Sequence, residues 1–188
     1  ARPMYSFGPT FVLDLLSRSG GRYMIPRIRA GKPILVPGGG NTLIQAGSAY
    51  NTGRMIAQLA GHEPSIGKSY TCGHPSPMTH DEYVRLFAKV IGVEPTLVHI
   101  PFEVLFSLGM PEIDNEILPI LSKFNLFFSV DAFKADFPDF KWELSLEEAA
   151  MEYVEWNDRN GTFADPNEEN FEDRIIHAWL ECIKDFQV

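Results

Sequence analysis

Cysteine is scarce: Cys72 and Cys182 are the only two in 188 residues. They cannot form a disulfide framework, and a reducing, cytoplasmic setting is the expectation. No apolar run approaches the roughly 18–20 residues that a membrane-spanning helix needs. The opening ARPMYSFGPT has neither the basic start nor the long apolar stretch of a secretion signal, so none is expected in this segment. Internal repeats and low-complexity tracts are absent. Phosphate-binding fingerprints are missing as well. Gly38-Gly39-Gly40 follows an apolar run, but the sixth position of a dinucleotide loop is Leu43, and no complete Walker loop occurs. There is no Gly-x-Ser-x-Gly elbow for a hydrolase. Cys72, His74 and His80 match no standard zinc spacing, so no metal site is expected. Nothing nearby in sequence tunes His62 or His80 for catalysis, and His99 sits among apolar neighbours as a structural residue.

What remains is a globular composition, 45% hydrophobic and 22% charged, of the size of one domain with its own core. The net charge of −9 is unevenly spread. Residues 1–60 carry seven bases (Arg2, Arg18, Arg22, Arg27, Arg29, Lys32 and Arg54) against Asp14 alone, a local charge of +6. The rest holds nine bases and 24 acids, a charge of −15. Two readings of that asymmetry stay open: an anionic ligand held by the arginines, or pairing with acids elsewhere in the fold. Nucleic acid is not favoured, because an acidic chain with a single basic segment lacks a broad basic footprint.

Residues 1–50 are dense in Pro and Gly and read as short strands and a long loop. Strands are expected at 33–37, 68–72, 96–100 and 127–130. Met55, Ile56, Leu59 and Ala60 suggest a helix ending at Gly61. Thr79 with Glu82, and Ser145 with Glu148, are capping boxes that open two further helices. Gly92 and Gly161 stand where those helices should stop. A loosely periodic apolar stretch runs from Phe102 to Phe124, broken at Pro111 and Pro119. The aromatics Phe124, Phe127, Phe128, Phe133, Phe137 and Phe140 read as core. The acids Glu147, Glu148, Glu152, Glu155 and Asp158 read as a solvated helix face. Phe171, Ile175, Ile176, Trp179, Ile183 and Phe186 mark a last helix expected to pack on its own domain. Alternating strands and helices make the fold class α/β.

The order of segments carries a resemblance. Arg2-Pro3-Met4-Tyr5-Ser6-Phe7-Gly8-Pro9 is followed by Gly31-Lys32-Pro33-Ile34-Leu35-Val36-Pro37-Gly38 and a helix to Gly61. Then come Ile66-Gly67-Lys68-Ser69-Tyr70, the Met78-Thr79 helix start, Val93-Glu94-Pro95-Thr96-Leu97-Val98-His99-Ile100-Pro101, and Ser129-Val130-Asp131-Ala132-Phe133-Lys134. Over about residues 1–160 this progression resembles the carboxyl-terminal half of extended, atypical short-chain dehydrogenases of the NAD-dependent epimerase/dehydratase family. The resemblance implies the carboxyl-terminal part of a Rossmann-like doubly wound fold with a small substrate-binding subdomain. It places the substrate-binding half at residues 1–161 and a helical extension at 162–188.

It further implies NAD or NADP as cofactor and a small polar metabolite as substrate. The glycine-rich loop and the catalytic Tyr-x-x-x-Lys of that family precede the Arg-Pro stretch and do not occur here, so no catalytic residue is expected in this chain. Roughly 130–150 residues of a dinucleotide-binding half, in the same or a separate chain, would have to supply them. Pro3, Met4 and Tyr5 map to the cofactor edge. Tyr5, Phe7, Arg22, Arg27, Gln45 and Ser48 map to the substrate side. Leu43-Ile44-Gln45 stands where related epimerases place a diphosphate-holding arginine, which argues against a nucleotide-sugar substrate. Ser48-Ala49-Tyr50-Asn51 replaces a His-x-x-Asp pattern, and Tyr5 an asparagine. A homodimer is compatible with the family. The alternative is a non-catalytic metabolite- or RNA-binding protein on the same fold.

Overall fold

The structure is a computed structural model that describes residues 1–16, 21–111, 113, 122–168 and 170–184. Arg18, the break expected at Pro119, and Phe186 of the last helix lie outside the described residues. In chain order the elements are β1 (Arg2–Pro3), β2 (Tyr5–Phe7), α1 (Gly21–Arg29), β3 (Ile34–Pro37), β4 (Leu43–Ile44), β5 (Ala46–Ser48) and α2 (Ala49–Leu59). After a short 3-10 turn at Glu63–Ser65 come β6 (Thr71–Cys72), β7 (Met78–Thr79), α3 (His80–Ile91), β8 (Leu97–Ile100) and α4 (Phe102–Ser107). The last three elements are α5 (Asp131–Asp136), α6 (Leu146–Asn160) and α7 (Phe171–Lys184).

Three strand pairs are parallel: β1 with β6, β2 with β5, and β3 with β8. The fourth, β4 with β7, is antiparallel. Parallel pairs joined through helices are the α/β architecture expected from the sequence, and such strands need cover on both faces. β3 shows this directly. Ile34 and Val36 point into one core with Phe7, Ile25, Ile28, Tyr83, Phe87 and Tyr153, while Leu35 points into another with Ile100, Leu105, Ile175 and Ile176. The two-residue period of a strand puts alternate side chains on opposite faces. Helices α1, α3 and α6 close the first face, and α7 closes the second. A third, smaller core joins Met55, Tyr70, Cys72 and Phe133.

Both capping boxes form. Thr79 Oγ1 accepts from the Glu82 amide at 3.1 Å, and Ser145 Oγ from the Glu148 amide at 3.2 Å, with each glutamate returning the bond. Gly92 and Gly161 end their helices at φ 71° and 61°, a left-handed conformation that costs glycine little. The central packing is aromatic: the Phe87 ring meets Phe7 at 5.4 Å, Tyr83 at 5.3 Å and Tyr153 at 6.0 Å, all edge-on.

Five expectations need correction. Residues 21–29 are a helix, not loop. Gly21 packs so tightly on Val12 that an added Cβ would lie 2.5 Å from its carbonyl oxygen, and burial of Met24, Ile25 and Ile28 outweighs the poor helix propensity of Gly21 and Pro26. Residues 127–130 form no ladder and lead without one into α5. The 68–72 and 96–100 strands shrink to Thr71–Cys72 and Leu97–Ile100. Phe133 is fully buried, but Phe124, Phe127 and Phe128 are 58%, 59% and 44% exposed, so these three are not core. The helical face of acids is also partly paired: Lys89 reaches Glu147 at 3.0 Å, and Arg29 grips Asp158 with two bonds of 2.6 and 2.7 Å.

Since Phe87 is fully buried at the crossing of three rings, Phe87→Ala should cost about 3–5 kcal/mol. Urea unfolding should show a large fall in midpoint with little change in slope.

Candidate functional site

Arg2, Pro3, Met4 and Tyr5 line one wall of a groove of about 530 Å³, completed by Thr71, Leu126 and Phe128. That volume is within the range of small-molecule sites. The groove exists because the chain crosses between two ladders at this point: β1 pairs with β6 up to Pro3–Cys72, and β2 starts its pairing with β5 at Tyr5–Ala46. Met4 bridges them, its amide donating to the Cys72 carbonyl at 2.9 Å. Gly73 is needed beneath it, because a Cβ there would come within 2.6 Å of the Met4 Cβ. Among the described residues β1 pairs only with β6, so its other edge has no ladder partner.

The lining is apolar apart from the side chains of Arg2 and Thr71. The Tyr5 oxygen is buried with no hydrogen-bond partner. Burial pushes this phenol up to about 12, so at neutral pH it is a proton-bearing donor and not a base.

The opposite wall depends on Gln45. This side chain is fully buried. Its Nε2 donates to the His74 carbonyl at 2.7 Å and to the Phe128 carbonyl at 3.0 Å, while Oε1 accepts from the Phe128 amide at 2.7 Å. The Leu126 amide donates to the Leu43 carbonyl at 2.9 Å, and the Leu43 amide to Asn125 Oδ1 at 2.9 Å. Leu43-Ile44-Gln45 therefore clamps residues 125–128 alongside itself, and the i, i+2 spacing turns Leu126 and Phe128 toward the groove.

Of the residues expected to meet cofactor or substrate, Pro3, Met4 and Tyr5 come together in this groove, with Gln45 behind its wall. The others do not. Phe7 is buried among Tyr83 and Phe87 as a core residue. Ser48 caps α2, accepting from the Tyr50 and Asn51 amides at 3.2 and 3.4 Å. Asn51 in turn ties down Leu144 through its carbonyl at 2.6 Å. Arg27 is buried and contributes to the fold: its guanidinium pairs with Asp173 at 3.0 Å and donates to Asn170 at 3.0 Å and to the Pro33 carbonyl at 2.7 Å. Arg22 is exposed, lies over the Tyr23 ring and does not line the groove. Thr71, Leu126 and Phe128 were missed. Their signal was the apolar i, i+2 pair in a stretch otherwise too irregular to read as an element.

The triple glycine is a strand-exit turn, as expected, with Gly38 and Gly40 at φ 70° and 75°. A Cβ on Gly40 would lie 2.1 Å from Asp81 Oδ1 and 2.6 Å from His99 Nε2, which are themselves paired at 2.8 Å. Gly67-Lys68-Ser69 shares a tripeptide with Walker loops, but residue 62 is His where those loops need Gly, and a strand rather than a helix follows. No group of three metal-ligating side chains occurs among the described residues. His80, at the start of α3, is fully buried with neither ring nitrogen hydrogen-bonded. Burial drives it down to about 4, so it is neutral.

The chain has part of the Rossmann-like α/β fold shared by NAD(P)-dependent epimerases, dehydratases and reductases. No protein-family model matches the sequence, and no curated protein does either. Among solved structures, dTDP-glucose 4,6-dehydratase from Bacillus anthracis in complex with NAD superposes with a TM-score of 0.58 at 16% identity over 89% of this chain. A GDP-L-fucose synthetase from Naegleria fowleri gives 0.59 at 15% over 87%. UDP-glucose 4-epimerase from Thermotoga maritima with UDP-glucose gives 0.55 at 17% over 85%. The chain spans only 45–46% of the length of these proteins.

Two outcomes follow. Gln45→Leu leaves the Phe128 amide and the His74 carbonyl without their partner, at a cost of about 1–3 kcal/mol. Hydrogen exchange at 126–128 should accelerate more than elsewhere. His80 binds protons more weakly folded than unfolded, so its contribution to stability is full above about 6.5 and falls as pH drops toward 4. Urea unfolding of His80→Leu and wild type at pH 7.5 and pH 5 should show that the variant escapes a loss of about 2 kcal/mol.

Proposed function

We propose that this chain is the substrate-facing portion of a cytoplasmic NAD(P)-dependent oxidoreductase, epimerase or dehydratase acting on a small polar metabolite. It works only with a dinucleotide-binding half, joined to it or separate. The observation that carries this reading is the groove where Pro3, Met4 and Tyr5 meet Thr71, Leu126 and Phe128. Two free cysteines accord with a reducing compartment. Neighbours of this fold hold NAD or NADPH.

The residues present fit one end of such a cofactor. Pro3, Met4 and Tyr5 offer an apolar wall suited to a nicotinamide ring. Among the described residues, no glycine-rich turn opening a helix lines this groove to cradle the diphosphate. When bound, NAD(P) supplies the hydride acceptor or donor. The chain's own residues bind and orient: Tyr5 holds its proton, Thr71 and Arg2 supply polar contacts, and Phe128, held by Gln45, excludes water. Gln45 is wholly committed to that clamp, so it does not reach a diphosphate, which argues against a nucleotide-sugar substrate.

A metabolite-binding protein without turnover is the reading to separate from this one. RNA binding loses its support, because Arg27, Arg29, Lys32 and Arg54 are paired with Asp173, Asp158, Asp173 and Glu143. The test is titration calorimetry with NAD and NADP on this chain alone and with a dinucleotide-binding half restored. The expected result is no binding alone, micromolar binding with the half restored, and a Tyr5→Ala variant whose turnover falls at least tenfold. Tight binding by the chain alone would overturn the requirement for a second half. Binding without hydride transfer to any small carbonyl would favour the non-catalytic protein.

A further inference from the structure

The last helix is fastened by charge as well as by apolar packing. Phe171, Ile175 and Ile176 of α7 enter the core that holds Leu35 and Ile100. At the N-terminal end of α7, Asn170 Oδ1 accepts from the Glu172 and Asp173 amides at 2.9 and 3.3 Å and from Arg27 Nη1 at 3.0 Å. Arg27 of α1 spends its close contacts on Asp173, Asn170 and the Pro33 carbonyl, and Lys32 joins Asp173 at 3.2 Å. Glu172, the most buried acid of the cluster, receives what is left. Arg27 Nε stands 3.4 Å away without hydrogen-bond geometry, and the Leu35 amide donates to the same oxygen from 3.3 Å.

Among the described residues, the other groups around Glu172 offer it no further cation. From the segment before α1, Asp14 and Glu172 line one small cavity with Leu13, Leu15 and Tyr83. Tyr83 of α3 donates a hydrogen bond to the Leu13 carbonyl. β3 presents only apolar side chains and its amide. Asp173 is the acidic neighbour on α7 itself. A charged Glu172 is thus buried beside two other carboxylates and shares a single guanidinium with one of them. Burial, with Asp14 close by, pushes Glu172 up to about 7, Arg27 pulling the other way.

We propose that α7 is a proton-controlled latch: it is docked when Glu172 carries a proton and loosens from β3 when that proton leaves. The sign follows from linkage. A carboxyl that binds protons more tightly in the docked state stabilises docking fully below about 4.5, and that stabilisation is lost as pH rises through about 7. Loosening would bare the apolar layer of Leu35 and Ile100 while leaving the Phe87 core intact, a local opening rather than global unfolding. This proposal does not depend on the function proposed above.

The test is hydrogen exchange of the full chain at pH 5.5 and 8.5, corrected for intrinsic exchange, read on segment 171–184 with α3 and α6 as internal references. Exchange in α7 should be at least about tenfold faster at pH 8.5, with α3 and α6 unchanged. Glu172→Gln, which keeps an acceptor for the Leu35 amide, should protect α7 equally at both pH values. Asp14→Asn should move the midpoint to lower pH. Equal wild-type exchange at both pH values overturns the latch, as does a pH response that survives in Glu172→Gln. So does acceleration shared by α3 and α6. If Glu172→Gln does not fold, an unmoved midpoint in Asp14→Asn overturns it instead.

Discussion

The β3–β8 pair has to be covered on both faces, and much of the fold follows from that constraint. A parallel pair cannot leave one face to water when its side chains are Ile34, Leu35, Val36, Leu97, Val98 and Ile100. On one side the cover is α1, α3 and α6, with the edge-on rings of Phe7, Tyr83, Phe87 and Tyr153 at the centre. On the other it is α4 and α7. The last helix is therefore no appendage. Without it, Leu35 and Ile100 would face solvent.

Charge pairing follows the same geometry. The basic first third and the acidic remainder meet as contacts of long sequence separation: Arg27 with Asp173, Arg29 with Asp158, Arg54 with Glu143. Of the two readings of the charge asymmetry, pairing within the fold holds for Arg27, Arg29, Lys32 and Arg54. The pairs differ in weight. Arg29–Asp158 is exposed and solvent-screened, worth little by itself. Arg27 is buried, and its loss would strand carboxylates inside the protein.

The groove belongs to a different part of the structure. It lies where the chain leaves the β1–β6 ladder and joins β5, and its far wall is irregular backbone held by one glutamine. Solved epimerases and dehydratases that share this fold at 12–17% identity are about twice as long, and only the fold carries over at that distance. The groove is also where sequence and structure part most clearly. Gln45 was placed on the substrate side, yet its amide is consumed in holding Phe128.

Local chemistry determined what could be read without coordinates. The capping boxes at Thr79 and Ser145, the stops at Gly92 and Gly161, and the turn at Gly38–Gly40 each involve neighbours within a few residues, so their signals lie in the sequence itself. The α/β class and the order of segments were legible for the same reason. Residues 21–29 were not, because Gly21 and Pro26 oppose a helix locally and only burial against Val12 and the central core overrules them. Nor could the sequence say whether Arg27 faces a ligand or Asp173, 146 positions away, or that Gln45 would bind the backbone of Phe128. Such partners are set by which elements the tertiary fold brings together, and by the cost of leaving a buried polar group unpaired once they meet.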